Sequence, residues 1–168
     1  MNLLIIAYLF IPVPQIPDLP NSIKSDEPGD TVQLKNVQAY YTNLTRTEVM
    51  NFYQAVYTGP FRVRVNHPPE KSKQVFKDTM QSYYLEEFIL PFKQSLYVNG
   101  FEWENDVFTK PDKRAANKLL FKNKEYKAKI SIRTFPTSIP KRIATFLLTE
   151  FSVIFALFTY KNLISKND

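Results

Sequence analysis

Apolar residues concentrate at the two ends of the chain, and the stretch between them alternates in short runs. Near the C-terminus, IATFLLTEFSVIFALFTY fills the 18 positions between Arg142 and Lys161 without a basic residue. At 1.5 Å per residue such a helix is about 27 Å long, close to the hydrocarbon thickness of a bilayer. Lys141 and Arg142 flank one end, and Tyr160 and Lys161 the other, which is the order of interfacial anchors. Thr145, Thr149, Ser152, Ala156 and Thr159 recur every three or four residues, forming a narrow stripe of small residues that lets a second membrane helix approach. Glu150 falls near the midpoint and off that stripe. An acidic residue there costs roughly 2.5–3.5 kcal/mol to insert, so it calls for protonation or for a partner such as Tyr8 or another subunit.

At the other end, Leu3 to Ile11 is apolar, and prolines follow at 12, 14, 17 and 20. The run is short for a span and lacks the basic start and small-residue cleavage site of a signal peptide. A retained membrane segment over 1–16 is the preferred reading, beside a cleaved signal or a truncated start. Residues 17–33 read as a proline-rich and polar linker.

The middle predicts a small α+β domain over 34–138. LKNVQAYYT (34–42) has strand composition. Thr45 and Glu48 form a capping box, with Leu44 and Val49 placed as its staple. Val49, Phe52, Tyr53 and Val56 then define one helical face, and Gly59-Pro60 ends it. Phe61, Val63 and Val65 alternate with Arg62, Arg64 and Asn66, predicting a strand whose apolar side is buried. Strand, helix, strand suggests a parallel pair. Pro68-Pro69 opens a second helix that runs to Phe88, with Phe76, Met80, Tyr83 and Tyr84 on its core face. Asn99-Gly100 marks a hairpin, or one strand with a glycine kink. A second hairpin turns around 122–125 and leads into a strand over 126–135. One of its faces carries Ala128, Ile130 and Ile132, and the other Lys127, Lys129 and Arg133.

Composition removes most enzyme classes. The chain has no cysteine, one histidine (His67) and three scattered glycines. Thiol chemistry, Cys/His metal centres, phosphate loops and dinucleotide fingerprints are therefore missing, and no cofactor is expected. Glu102, Glu104 and Asp106 would share a strand face, but no calcium loop surrounds them. His67 has no nucleophile nearby in sequence. The Asn43-Leu44-Thr45 sequon overlaps a helix cap, which already explains its threonine.

Charge is the remaining signal. The chain is +6 overall. Residues 110–133 hold Lys110, Lys113, Arg114, Lys118, Lys122, Lys124, Lys127, Lys129 and Arg133 against Asp112 and Glu125. Close in sequence to a membrane helix, this cluster is a candidate for anionic lipid headgroups. Nucleic acid is the weaker candidate polyanion, since no RNA-binding motif accompanies the cluster. The excess of basic residues before the C-terminal helix over those after it favours a cytoplasmic domain.

Taken together, the expected fold is α+β: a small mixed sheet with two packed helices, an N-terminal apolar segment, a single transmembrane helix over 139–161 and a short polar tail (162–168). The expected role is a membrane-anchored, non-catalytic binding or assembly module that meets the bilayer and self-associates or meets a partner helix. The competing expectations are a membrane-bound enzyme using carboxylates such as Glu86, Glu102 or Glu104, and a polyanion binder acting through 110–133.

Overall fold

The computed structural model describes residues 2–28, 30, 36–67 and 84–164. The helices are α1 (Asn2–Phe10), α2 (Arg46–Val56) and α3 (Ile139–Ile164). The strands are β1 (Ser22–Lys24), β2 (Val37–Thr42), β3 (Val63–His67), β4 (Tyr84–Leu90), β5 (Gln94–Glu102), β6 (Leu119–Phe121), β7 (Lys124–Tyr126) and β8 (Ala128–Pro136). Two short 3-10 helices, Trp103–Asn105 and Pro111–Asn117, join β5 to β6.

Local signals placed α2 well. Thr45 accepts from the Glu48 amide while Glu48 accepts from the Thr45 amide, so the capping box is complete. Val49, Met50 and Tyr53 are buried against one face of the sheet, with Phe52 and Val56 at the margin. The core joins these to Tyr40, Tyr84, Phe88, Leu90, Leu96, Val98, Ala128, Ile130 and Ile132.

The sheet is not mixed. Its order is β1-β2-β8-β5-β4-β3, and every pair is antiparallel. β2 and β3 do not pair, because β8, β5 and β4 stand between them. At about 4.8 Å per strand the gap is roughly 19 Å, and α2 carries the chain across it at about 1.5 Å per residue. The segment read as a linker is built into the domain. β1 extends the sheet, Leu19 joins the core, and Lys129 binds Asp30 and Glu27 at 2.9 and 3.2 Å.

Most of the expected second helix, 68–83, lies outside the described residues, but its last residues, 84–88, are strand. Tyr84, Glu86, Phe88 and Leu90 face α2, while Leu85, Glu87 and Ile89 face away. The charge of Glu86 on the buried face hides this alternation in the sequence. Asn99 and Gly100 lie inside the unbroken β5, so there is no hairpin at that point. The turn is Pro91-Phe92-Lys93, with Phe92 in the left-handed region at φ 63°. Gly100 serves packing instead, since a Cβ there would lie 2.1 Å from Tyr84 Cζ. A hairpin does follow Phe121, but its turn is only Lys122-Asn123, both at positive φ as a two-residue turn requires. Its second arm is β7, whose Lys124 and Glu125 were expected in the turn, while the long strand β8 joins the six-stranded sheet instead.

β3 inverts its expected faces. Arg64, and Arg62 just before the strand, look toward α2, where Arg62 donates to the Gln54 and Tyr57 carbonyls and Arg64 meets Gln54 and Glu86, while Phe61 and Val63 are exposed. Hydrogen-bond acceptors on α2, on Tyr57 and on Glu86, rather than hydrophobicity, decide the orientation of this edge strand.

Candidate functional site

Register divides the domain into two ends. Leu90, Gln94 and Pro136 lie together, and α3 departs from this end. Tyr84, Glu102, Ala128 and Thr42 lie at the other end, one strand length or about 27 Å away.

At the α3 end, α1 packs beside the start of α3. Tyr8 and Leu9 cluster with Phe146, and Ile5 and Phe92 pack against them. The Phe92 and Phe146 rings meet edge-on at 6.3 Å. Arg142, buried, donates through Nη1 to the Leu9 carbonyl at 2.9 Å and through Nε to the Thr137 carbonyl at 2.7 Å. Lys93, also buried, reaches the Pro12 carbonyl at 3.5 Å and sits 4.6 Å from the Tyr8 ring centroid. The Tyr8 hydroxyl donates to the Pro91 carbonyl at 3.0 Å. Two cations therefore serve the carbonyl end of α1, where the helix dipole favours positive charge. Burial, and then the charge of Arg142, pull the Lys93 ammonium below its usual pKa.

α3 has a most apolar 18-residue window of mean hydropathy 1.8, of which 6% is buried. By length and composition it is able to cross a membrane. Thr149, Ser152 and Thr159 donate to the carbonyls of Thr145, Leu148 and Phe155, four residues back. Three of the stripe's hydroxyls are thus satisfied within the helix, and Thr145, Thr149, Ser152, Ala156 and Thr159 are all exposed. Glu150 is half-buried, unlike its exposed neighbours, and continues the Arg142–Phe146 row that faces α1. Tyr8 is not its partner, being bound to Pro91.

The basic cluster does not form one surface beside α3. Lys113, Arg114, Lys118, Lys122, Lys124, Lys127 and Lys129 lie between the end of β5 and the start of β8, at the far end of the sheet. The roughly 27 Å to the α3 end is several Debye lengths at physiological salt. Several members are already engaged. Lys118 pairs with Glu125 and Lys122 with Asp26, Lys129 holds Glu27 and Asp30, and Arg114 donates to the Thr109 and Glu104 carbonyls. Lys124 lies over the Tyr126 ring. Of the eight expected residues, only Arg133, over Phe135, is near the α3 end. Adjacency in sequence misled here because β8 spends its whole length crossing the sheet.

The candidate catalytic carboxylates are dispersed. Glu86 is buried on the core face, where Arg46 at 2.8 Å and Arg64 clamp it. Burial raises its pKa, but the bonds and charges of the two arginines outweigh this and hold the carboxyl below its usual range. Glu102 accepts from Asn105, and Asp106 from the Phe108 amide and Asn117. Among the described residues no cluster of acidic and histidine side chains is arranged to hold a metal ion. Among the described residues, no titratable side chain lines the groove of about 530 Å³ between Pro14, Ile16, Gln38, Gln94, Ile132 and Thr134. On the opposite sheet face His67 lies 3.7 Å from Glu87, and Tyr97 also bonds Glu87. Burial, with that bond, pushes the Tyr97 phenol up to about 12, which leaves it a neutral donor and no nucleophile. Sequence reasoning missed Arg46, Arg64, Lys93 and the role of Arg142, because their partners are distant in the chain.

The fold and these contacts define an α+β domain with an antiparallel six-stranded sheet and a projecting apolar C-terminal helix. No protein-family model, curated protein or solved structure matches the chain.

Proposed function

We propose that this chain is a membrane-anchored, non-catalytic binding or assembly module, with α3 crossing the bilayer once and the α+β domain on the cytoplasmic side. The observation that carries the reading is the exposure of α3. A helix of this hydropathy that served a soluble core would be buried, whereas beyond Phe146 α3 leaves the domain with its apolar side chains uncovered. Orientation rests on charge: Lys93, Lys141 and Arg142 stand at the domain end of α3, and Lys161 at the other. Lateral assembly rests on the exposed stripe, whose internally bonded hydroxyls leave small, close-packing surface.

The test is alkaline carbonate extraction of the full chain, then protease protection with a tag at each end. Retention in the pellet, a protected domain and a cleaved C-terminal tag are expected. Release by carbonate refutes the anchor, and a digested domain refutes the orientation.

A further inference from the structure

We infer that the α3 end of the domain is seated on the membrane, with α1 inserted beside α3 in a single phospholipid leaflet. The inference rests on α3 being a span, and its partner is an anionic lipid leaflet. α1 leads into the domain at its C-terminal end, where Leu9 meets Arg142 and Ile16 and Leu19 join the core. Its other end points away, with Leu3 83% and Leu4 79% exposed. α3 leaves from the same place, so the two helices run antiparallel and outward. Nine residues at 1.5 Å make α1 about 14 Å long, close to half of a ~30 Å hydrocarbon core.

The surroundings fit a headgroup boundary. Phe10, Phe61, Phe135 and Ile139 are exposed at this end and surround the two helices with apolar surface. The segments that build it (2–17, 60–63, 89–95 and 135–149) contain no Asp or Glu, yet supply Arg62, Lys93, Lys141 and Arg142. That imbalance complements anionic headgroups. In hydrocarbon, the free N–H groups of the first turn of α1 need an acceptor. Continuing the antiparallel register from Leu9–Arg142 through Phe146 brings Glu150 to that depth, on the row facing α1. This gives the mid-helix carboxylate a role beside a helix N-terminus.

The chain has no native cysteine, so single probes report cleanly. Leu4→Cys, Phe151→Cys and Lys113→Cys, each labelled with NBD on the full chain, are reconstituted in phosphatidylcholine–phosphatidylglycerol vesicles and quenched with doxyl-labelled lipid. The Leu4 probe is expected to be quenched within about twofold of the Phe151 probe, and the far-end Lys113 probe to be spared. Leu3→Cys serves as a second position, equally exposed in the structure. If Leu4 and Leu3 behave like Lys113 while Phe151 is quenched, the seating of α1 is wrong and the anchor stands. If Phe151 is also spared, the anchor itself fails, and this inference with it.

Discussion

Gly100→Ala separates local propensity from tertiary structure by sign. Within a strand, replacing glycine by alanine removes an entropic cost of roughly 0.5–1 kcal/mol, so strand propensity by itself predicts stabilisation. The structure predicts the opposite. The new Cβ would stand 2.1 Å from Tyr84 Cζ and 2.3 Å from Cε1, where ordinary contact begins at 3.4 Å. The ring must therefore retreat by more than ~1 Å against a close-packed interior. It has little freedom to do so, being fully buried and covered by the Arg46 guanidinium at 5.0 Å. Overpacking of this kind costs about 1–3 kcal/mol, which outweighs the propensity gain. For a chain of this size that is a Tm loss of roughly 2–12 °C. Thermal unfolding of the full chain in detergent, followed by Trp103 fluorescence next to the site, measures it. In a Tyr84→Leu background the same substitution should cost at least ~1 kcal/mol less, because the two sites share one space. A Tm unchanged or raised by Gly100→Ala would refute the packing argument.

Three further outcomes are expected. Glu86→Gln should destabilise by about 2–4 kcal/mol at pH 7, read by denaturant titration, because it uncouples two arginines from a buried acceptor. Since the folded-state pKa of Glu86 lies below its unfolded value, its contribution is present above the unfolded pKa and fades as pH falls through the folded one. The wild type should therefore lose more stability than Glu86→Gln on acidification below about pH 4.5, and parallel pH profiles would contradict the clamp. Thr45→Ala should cost about 1 kcal/mol through the lost capping box, measured in the same titration. Thr149→Leu with Ser152→Leu should leave the domain's Tm unchanged, since both side chains are exposed, but lower self-association in vesicles by energy transfer. Unchanged transfer would remove the stripe as a contact surface.

What was legible from sequence was what short-range physics decides. The capping box, the helical face of α2, a turn just after Phe121 and the long apolar C-terminal helix each depend on neighbours within a few residues. The acyl-length helix is also why a membrane reading was available without any partner or ligand in view. Tertiary structure decided the rest through contacts between distant segments. It placed β8 between β2 and β5, turned Arg64 of β3 inward to Glu86, and made 84–88 strand although its helical and strand periodicities are both plausible over so short a window. It moved most of the basic cluster a strand length away from α3, and put Lys93 and Arg142 there instead, on the Pro12 and Leu9 carbonyls more than 80 residues earlier in the chain. Periodicity tells which side of an element is apolar. Which element lies across from it, and where a buried charge finds its counterpart, is fixed only when the whole sheet closes its hydrogen bonds.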